Sequence, residues 1–190
     1  MRMLLLAVGC AASLSANAEN FSVNIPQLQD EGKQVVMKLV STLGGELKAA
    51  KEEGGAIAAI NVCNTKAQPL TESVSEGSGW IVERTSLKLR NPNNAPDDWE
   101  KAVLEKFESQ TQQGANIKKL GYSQVLVDEQ GRKVFRMMKA IPVADQCLAC
   151  HGKQIQPELE ERIQTLYPED KATGFSAGDL RGAFTLKKYL

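Results

Sequence analysis

Between residues 27 and 53 the apolar positions Val36, Leu39, Val40, Leu43, Leu47 and Ala50 recur every three to four residues, with polar side chains on the opposite face. This spacing predicts one long amphipathic helix. Gly44-Gly45 weakens its middle and offers a place to bend, because glycine lacks the side chain that favours helical backbone angles. Gly54-Gly55 interrupts the pattern, and Ala56 to Cys63 (AIAAINVC) resumes it as a short helix with Ile60 and Cys63 on one side. A polar linker follows. From Trp80 to Arg90 (WIVERTSLKLR) the period becomes two, which predicts a strand with Arg84, Ser86, Lys88 and Arg90 on one face and Thr85, Leu87 and Leu89 on the other.

Asn91-Pro92-Asn93-Asn94-Ala95-Pro96 reads as a turn, and a helix should begin near Asp97, whose acidic first turn suits the positive end of a helix dipole. Trp99, Val103 and Phe107 form its buried stripe. Tyr122–Val127 and Lys133–Ile141 flank Asp128-Glu129-Gln130-Gly131, a hairpin signature, and Pro142 closes the second strand. A helix over Glu158–Leu166 and a last strand over Arg181–Lys187 complete the pattern. The elements predict an α+β domain with an antiparallel sheet.

Composition narrows the class. With 23 Lys+Arg against 23 Asp+Glu the chain has no basic excess, so a nucleic-acid partner is not expected. Arg2, the apolar run Met3–Ala12 and the A-x-A spacing of Ala16-Asn17-Ala18 read as a signal peptide over 1–18, leaving one domain over 19–190. Lipidation of Cys10 is the weaker alternative, since Ala7 stands where such sites want leucine. No other stretch approaches the ~20 apolar residues of a membrane span. The expectation is an exported protein of the periplasm, or of a thylakoid lumen in a cyanobacterium.

Export leaves Cys63, Cys147 and Cys150, an odd number. His151, the one histidine of the 190 residues, directly follows the C-x-x-C pair in Cys147-Leu148-Ala149-Cys150-His151. This C-x-x-C-H spacing is that of covalent c-type haem attachment: two thiols one helical turn apart add to the two vinyl groups, and the adjacent imidazole ligates the iron. Three alternatives compete. Cys63, Cys147, Cys150 and His151 make a Cys3His zinc set, although adjacent Cys150 and His151 would then have to bind one ion. A redox dithiol leaves His151 unexplained, and a structural disulfide would use the same pair.

If haem is bound, its sixth ligand cannot be a second histidine. Met37, Met137 and Met138 are the methionines left after signal removal, and the last two face opposite ways on a strand. Cys63 is a soft iron ligand left over from the thioether pair, or simply a small buried hydrophobe.

Four motifs then occur in order: RTSLKLRNPNNAPDDWE (84–100), CLACHG (147–152), YPEDKATGF (167–175) and GDLRGAF (178–184). Through them, over about residues 30–187, the chain resembles a bacterial and cyanobacterial family of exported haem-binding domains, long labelled as of unknown function. The resemblance implies a PAS-like fold with a long N-terminal helix, flanking helices and one covalent haem c. Members also serve as sensor parts of histidine kinases. It further implies thioethers at Cys147 and Cys150, the proximal bond from His151, and a sixth ligand from a helical cysteine whose position Cys63 matches in AINVCN. Histidine and thiolate together should give a low-potential iron, because an anionic ligand stabilises Fe(III). Arg84, Lys88 and Arg90 then become expected contacts for the haem propionates.

Two roles follow as expectations: a redox or small-ligand sensor for NO, CO or O2, or a low-potential electron carrier. A peroxidase-like enzyme ranks below both, since no second histidine can act as distal acid or base. Without a transmembrane helix, kinase segment or receiver in the sequence, a sensor would report to a signalling partner and a carrier to a redox partner. The long first helix could pack in a homodimer or cover its own sheet.

Overall fold

A computed structural model describes residues 23–190, so the signal peptide expected at 1–18 and Cys10 lie outside the described residues. Helix α1 (Ile25–Thr65) starts at Asn24, whose side chain accepts from the Gln27 amide. It passes through Gly44-Gly45 with helical geometry and kinks instead at Gly54 (φ −144°, ψ 25°) and Gly55 (φ 67°, ψ −157°). The Gly55 angles belong to a region that is essentially reserved for glycine. The segment read as a polar linker is helix α2 (Ala67–Ser78). Ala67, Thr71 and Val74 are buried on it, and a single strong apolar residue in that stripe is too faint a periodic signal to read.

Strand β1 (Ile81–Thr85) is shorter than the alternation suggested. The chain leaves the ladder because the Ser86 hydroxyl intercepts its partners: it donates to the Arg181 carbonyl (2.7 Å) and accepts from the Lys88 amide (3.1 Å). Helix α3 (Asp98–Gln112) opens with a capping box, Asp97 accepting from the Glu100 amide and Glu100 from the Asp97 amide. Strands β2 (Gly121–Val127) and β3 (Lys133–Pro142) form the expected hairpin. Short helix α4 (Leu148–His151), helix α5 (Pro157–Leu166) and strand β4 (Leu180–Tyr189) follow.

The sheet order is β1-β4-β3-β2, antiparallel throughout, with the C-terminal strand in the middle. Strand alternation sends successive side chains of β3 to opposite layers. Phe135 and Met137 meet Leu28, Val36, Leu39 and Leu43 of α1 and Trp80, while Met138 and Ala140 meet Val103, Leu104 and Phe107 of α3. Both strand methionines are therefore core residues, and Met37 is 69% exposed. A third, smaller cluster joins Ile60 beyond the α1 kink to Leu159 and Ile163 of α5 and to Tyr167.

One polar network lies inside the α3 layer. Glu100 Oε1 accepts from Arg136 Nη2 and Thr185 Oγ1, both at 2.8 Å, and Arg136 Nη1 pairs with Asp97 at 2.8 Å. Burial pulls the Asp97 carboxyl upward, but the Glu100 amide and the Arg136 guanidinium outweigh it and hold the group below its ordinary 3.8. Its contribution is present above that value and lost as pH falls through the lowered one, so D97N should flatten the acid limb of the stability curve. Glu100→Ala leaves Arg136 paired only with Asp97 and Thr185 without its acceptor, and should cost about 1.5–3 kcal/mol in denaturant unfolding. A loss under about 1 kcal/mol would place this network outside the folding core.

Candidate functional site

The CLACH segment is built to hold one shape. A 3-10 turn (Asp145–Cys147) leads into α4, which ends where the Gly152 amide donates to the Leu148 carbonyl at 2.8 Å. A β-carbon at Gly152 would collide with that same carbonyl, so the glycine after the histidine is a steric requirement. The three carbonyls at the end of the turn are each held from outside. Cys150 O accepts from Arg90 Nη2 (2.6 Å), His151 O from the Phe175 amide (3.0 Å) and Gly152 O from the Gly174 amide (2.9 Å).

Arg90 extends the clamp, reaching Asp170 through Nε (3.2 Å) and Nη2 (2.9 Å), and this ion pair is buried on both sides. Asp170 in turn accepts from the Ala172 amide at 2.9 Å. That order fixes the acceptor for the imidazole, since His151 Nδ1 lies 2.7 Å from the Ala172 carbonyl. A carbonyl can only accept, so Nδ1 carries the proton and Nε2 the lone pair. Burial, with the Arg181 and Arg90 charges adding to it, pushes the imidazole down to about 3 and keeps it neutral. A neutral histidine whose Nδ1–H is tied to a carbonyl is the form in which metal ligands are held.

His151, Cys147 and Cys150 line a cavity of about 630 Å³ together with Ala56, Ala59, Ile60 and Cys63 from the end of α1 beyond the kink. An adjoining lobe of about 490 Å³ shares Gly44, Leu47, Arg84, Cys147, His151 and Arg181 with it and is lined further by Leu39, Leu43, Ile141 and Phe184. The segment that carries Cys63 is docked by Asn61, whose Oδ1 accepts from Arg162 Nε (3.0 Å) and Nη2 (2.7 Å) of α5. Burial pushes the Cys63 thiol up, with the Arg84 charge opposing it, and burial likewise raises Cys150.

These facts bear on the alternatives. Among the described residues no three His, Cys, Asp or Glu side chains gather closely enough to hold a bare ion, so the Cys3His set does not converge as a zinc site requires. Cys63, Cys147 and Cys150 form no disulfide among the described residues, and a raised Cys150 runs opposite to the lowered value of a dithiol nucleophile.

The basic residues of the motif around β1 are dispersed. Arg84 lines both lobes, and its buried Nε has no hydrogen-bond partner among the described residues. Arg90 also lines them, but its guanidinium is engaged by Asp170 and Cys150. Lys88 does not line the cavity; with the strand ended at Thr85, it stands exposed, 5.1 Å from the centre of the Phe175 ring. Sequence reasoning missed two lining residues, Arg181 and Tyr167. Both stand in quoted motifs, GDLRGAF and YPEDKATGF, but an isolated arginine opening a strand and a tyrosine closing a helix carry no periodic or spacing signal.

Fold and cavity together define a PAS-like α+β domain with a half-buried C-x-x-C-H turn that shares a cavity with its long helix. The chain belongs to the Tll0287-like family, whose model matches residues 11–188. Among solved structures it is similar to the cyanobacterial heme-protein Tll0287, at 24% identity and a TM-score of 0.56, covering 86% of this chain and 95% of that one. None of the curated proteins matches the sequence. No helix among the described residues is long and apolar enough to cross a membrane.

The kink makes a direct prediction. Gly55→Ala forces an L-residue into glycine-only backbone angles and should cost about 1–3 kcal/mol, or straighten α1 and carry Cys63 away from the cavity. Denaturant unfolding combined with the alkylation rate of Cys63 reads both outcomes. A variant with wild-type stability and alkylation would mean that the kink is not needed to place the thiol.

Proposed function

We propose that the chain is an exported mono-haem c-type protein whose iron is held between His151 and Cys63, and that it works as a redox or small-ligand sensor. The observation that carries the reading is the His151 Nδ1–H···O=C Ala172 bond, in a side chain that lines the same cavity as Cys147, Cys150 and Cys63. A donor set that does not converge on one point suits a group with width. Such a group would be held by the thiols of Cys147 and Cys150, with His151 and Cys63 as its iron ligands. The cavity volume lies within the roughly 300–1,000 Å³ of cofactor sites. That the similar structure is of a heme-protein supports the assignment.

In this reading Cys147 and Cys150 would hold the haem through thioether bonds, with His151 beside them to ligate the iron. His151 needs no proton transfer before it ligates, because burial already keeps it neutral. Cys63 must release its proton on ligation, as thiols do when they bind a metal. Met37 is exposed, and Met137 and Met138 are built into the two cores, so none of the three competes for the sixth position. Haem would supply a redox-active iron able to bind a diatomic ligand.

The sensor reading is favoured over the electron-carrier reading by the way Cys63 is mounted. It sits on a segment hinged at Gly54-Gly55 and docked mainly through α5, so loss of the iron–sulfur bond could be passed to the surface as a movement. A carrier gains from the opposite property, a ligand set that is rigid in both oxidation states.

Purified protein should show a Soret band and an intact mass larger by one haem, and Cys147→Ser should leave a single thioether in the pyridine haemochrome spectrum. Cys63→Ser should turn the ferric spectrum toward high-spin or water-ligated iron and raise the reduction potential; an unchanged spectrum would take Cys63 off the iron. CO should bind the reduced wild-type protein, and faster still in Cys63→Ser. A reduced protein that stays six-coordinate and refuses CO would favour the carrier.

A further inference from the structure

The cavity wall carries more positive charge than the protein itself neutralises. Three guanidiniums line it, those of Arg84, Arg90 and Arg181. Arg90 is matched by the buried carboxylate of Asp170, but neither Arg84 nor Arg181 forms an ion pair with a described residue. Arg181 is held in place by neutral acceptors, Ser86 Oγ at 3.0 Å and the Lys88 carbonyl at 3.1 Å. Arg84 makes no side-chain hydrogen bond to a described residue, and its Nε is shut off from solvent. Burial depresses both, Arg181 to about 10.

The remaining titratable groups facing this wall do not compensate. No carboxylate lines it among the described residues, the exposed Lys48 and Lys51 add positive charge, and a Cys63 thiolate would be spent on the iron. Half-burying a guanidinium without a counter-charge is unfavourable. Two in one cavity wall mark a place shaped for two negative charges. The two arginines come from neighbouring strands: Arg84 pairs across the ladder with Phe184 of β4, and Arg181 lies near the start of that same strand.

Resting on the haem reading above, we propose that Arg84 and Arg181 bind the two propionates of the haem, one guanidinium to each carboxylate, and so set its rotation within the cavity. Arg90 does not take part; it is a positioning residue that holds the C-x-x-C-H turn. Lys88, named with Arg84 and Arg90 from the strand alternation, is outside the cavity and contributes nothing to haem binding. A guanidinium fork matches a carboxylate in two parallel hydrogen bonds, which gives orientation as well as charge.

The test uses full-length holoprotein and spectro-electrochemistry. Removing a fixed positive charge beside the haem stabilises Fe(III), so Arg84→Gln and Arg181→Gln should each lower the reduction potential. Arg84→Lys and Arg181→Lys should restore most of it, and Lys88→Gln should leave it unchanged. Attached haem with wild-type potential in both glutamine variants would overturn the proposal, as would an equal drop in Lys88→Gln. Should a glutamine variant not accumulate, the propionate bending bands in the resonance Raman spectrum of the lysine variants decide. They should shift, because one ammonium replaces a two-pronged donor; unshifted bands overturn the assignment. Wild-type protein that carries no haem would instead overturn the function proposed above, so the two failures are told apart by the first spectrum recorded.

Discussion

The site depends on one buried guanidinium. Arg90 bonds the carboxylate of Asp170 and the carbonyl of Cys150, while Asp170 orders Ala172 and Ala172 accepts from His151. Without that chain of contacts the turn from Cys147 to His151 would keep its local shape, but only the Phe175 and Gly174 amides would hold it against the segment after Tyr167. A buried ion pair of this kind adds little net stability compared with well-packed apolar residues, and its loss leaves an uncompensated charge. What it contributes here is specificity of position. It selects the imidazole tautomer and the depth at which the two thiols lie.

The sheet gives this clamp a rigid base. β4 is the last strand in sequence and lies in the middle of the sheet, paired with β1 on one side and β3 on the other. Its first residues bring Arg181 to the cavity, and its later ones build the two cores. Helix α1 has two tasks, divided by Gly54-Gly55. Before the kink it covers the sheet; after it, the helix turns to α5 and lines the cavity. One helix thus supplies both the packing of one face and Cys63 in the cavity that His151 lines.

Much of this was legible in the chain. A strong period of three to four residues foretold α1 and α3, alternation with a glycine turn foretold the β2–β3 hairpin, and the glycine pair marked the real break in α1. Gly44-Gly45 misled because sustained burial of Leu39 and Leu43 before it, and of Ala50 after it, overrides a local propensity of about 1 kcal/mol per glycine. Helix α2 was unreadable, since Thr and Ser on its inner face satisfy their hydroxyls on the helix's own carbonyls and look polar in the sequence. The C-x-x-C-H turn stood out because its chemistry requires residues adjacent in sequence. Arg181, Tyr167 and the Asp170 clamp did not, because their partners are distant along the chain. Lys88 was placed with Arg84 by an alternation that ends two residues after it, at a serine that turns the chain away.

The central claim is an iron bound by one nitrogen and one sulfur axial ligand across this cavity. X-ray absorption at the iron edge of the ferric wild-type protein tests it most directly. The account predicts a first shell with a single sulfur scatterer beside the macrocycle and imidazole nitrogens. A shell of nitrogen and oxygen alone, with no sulfur, would contradict it.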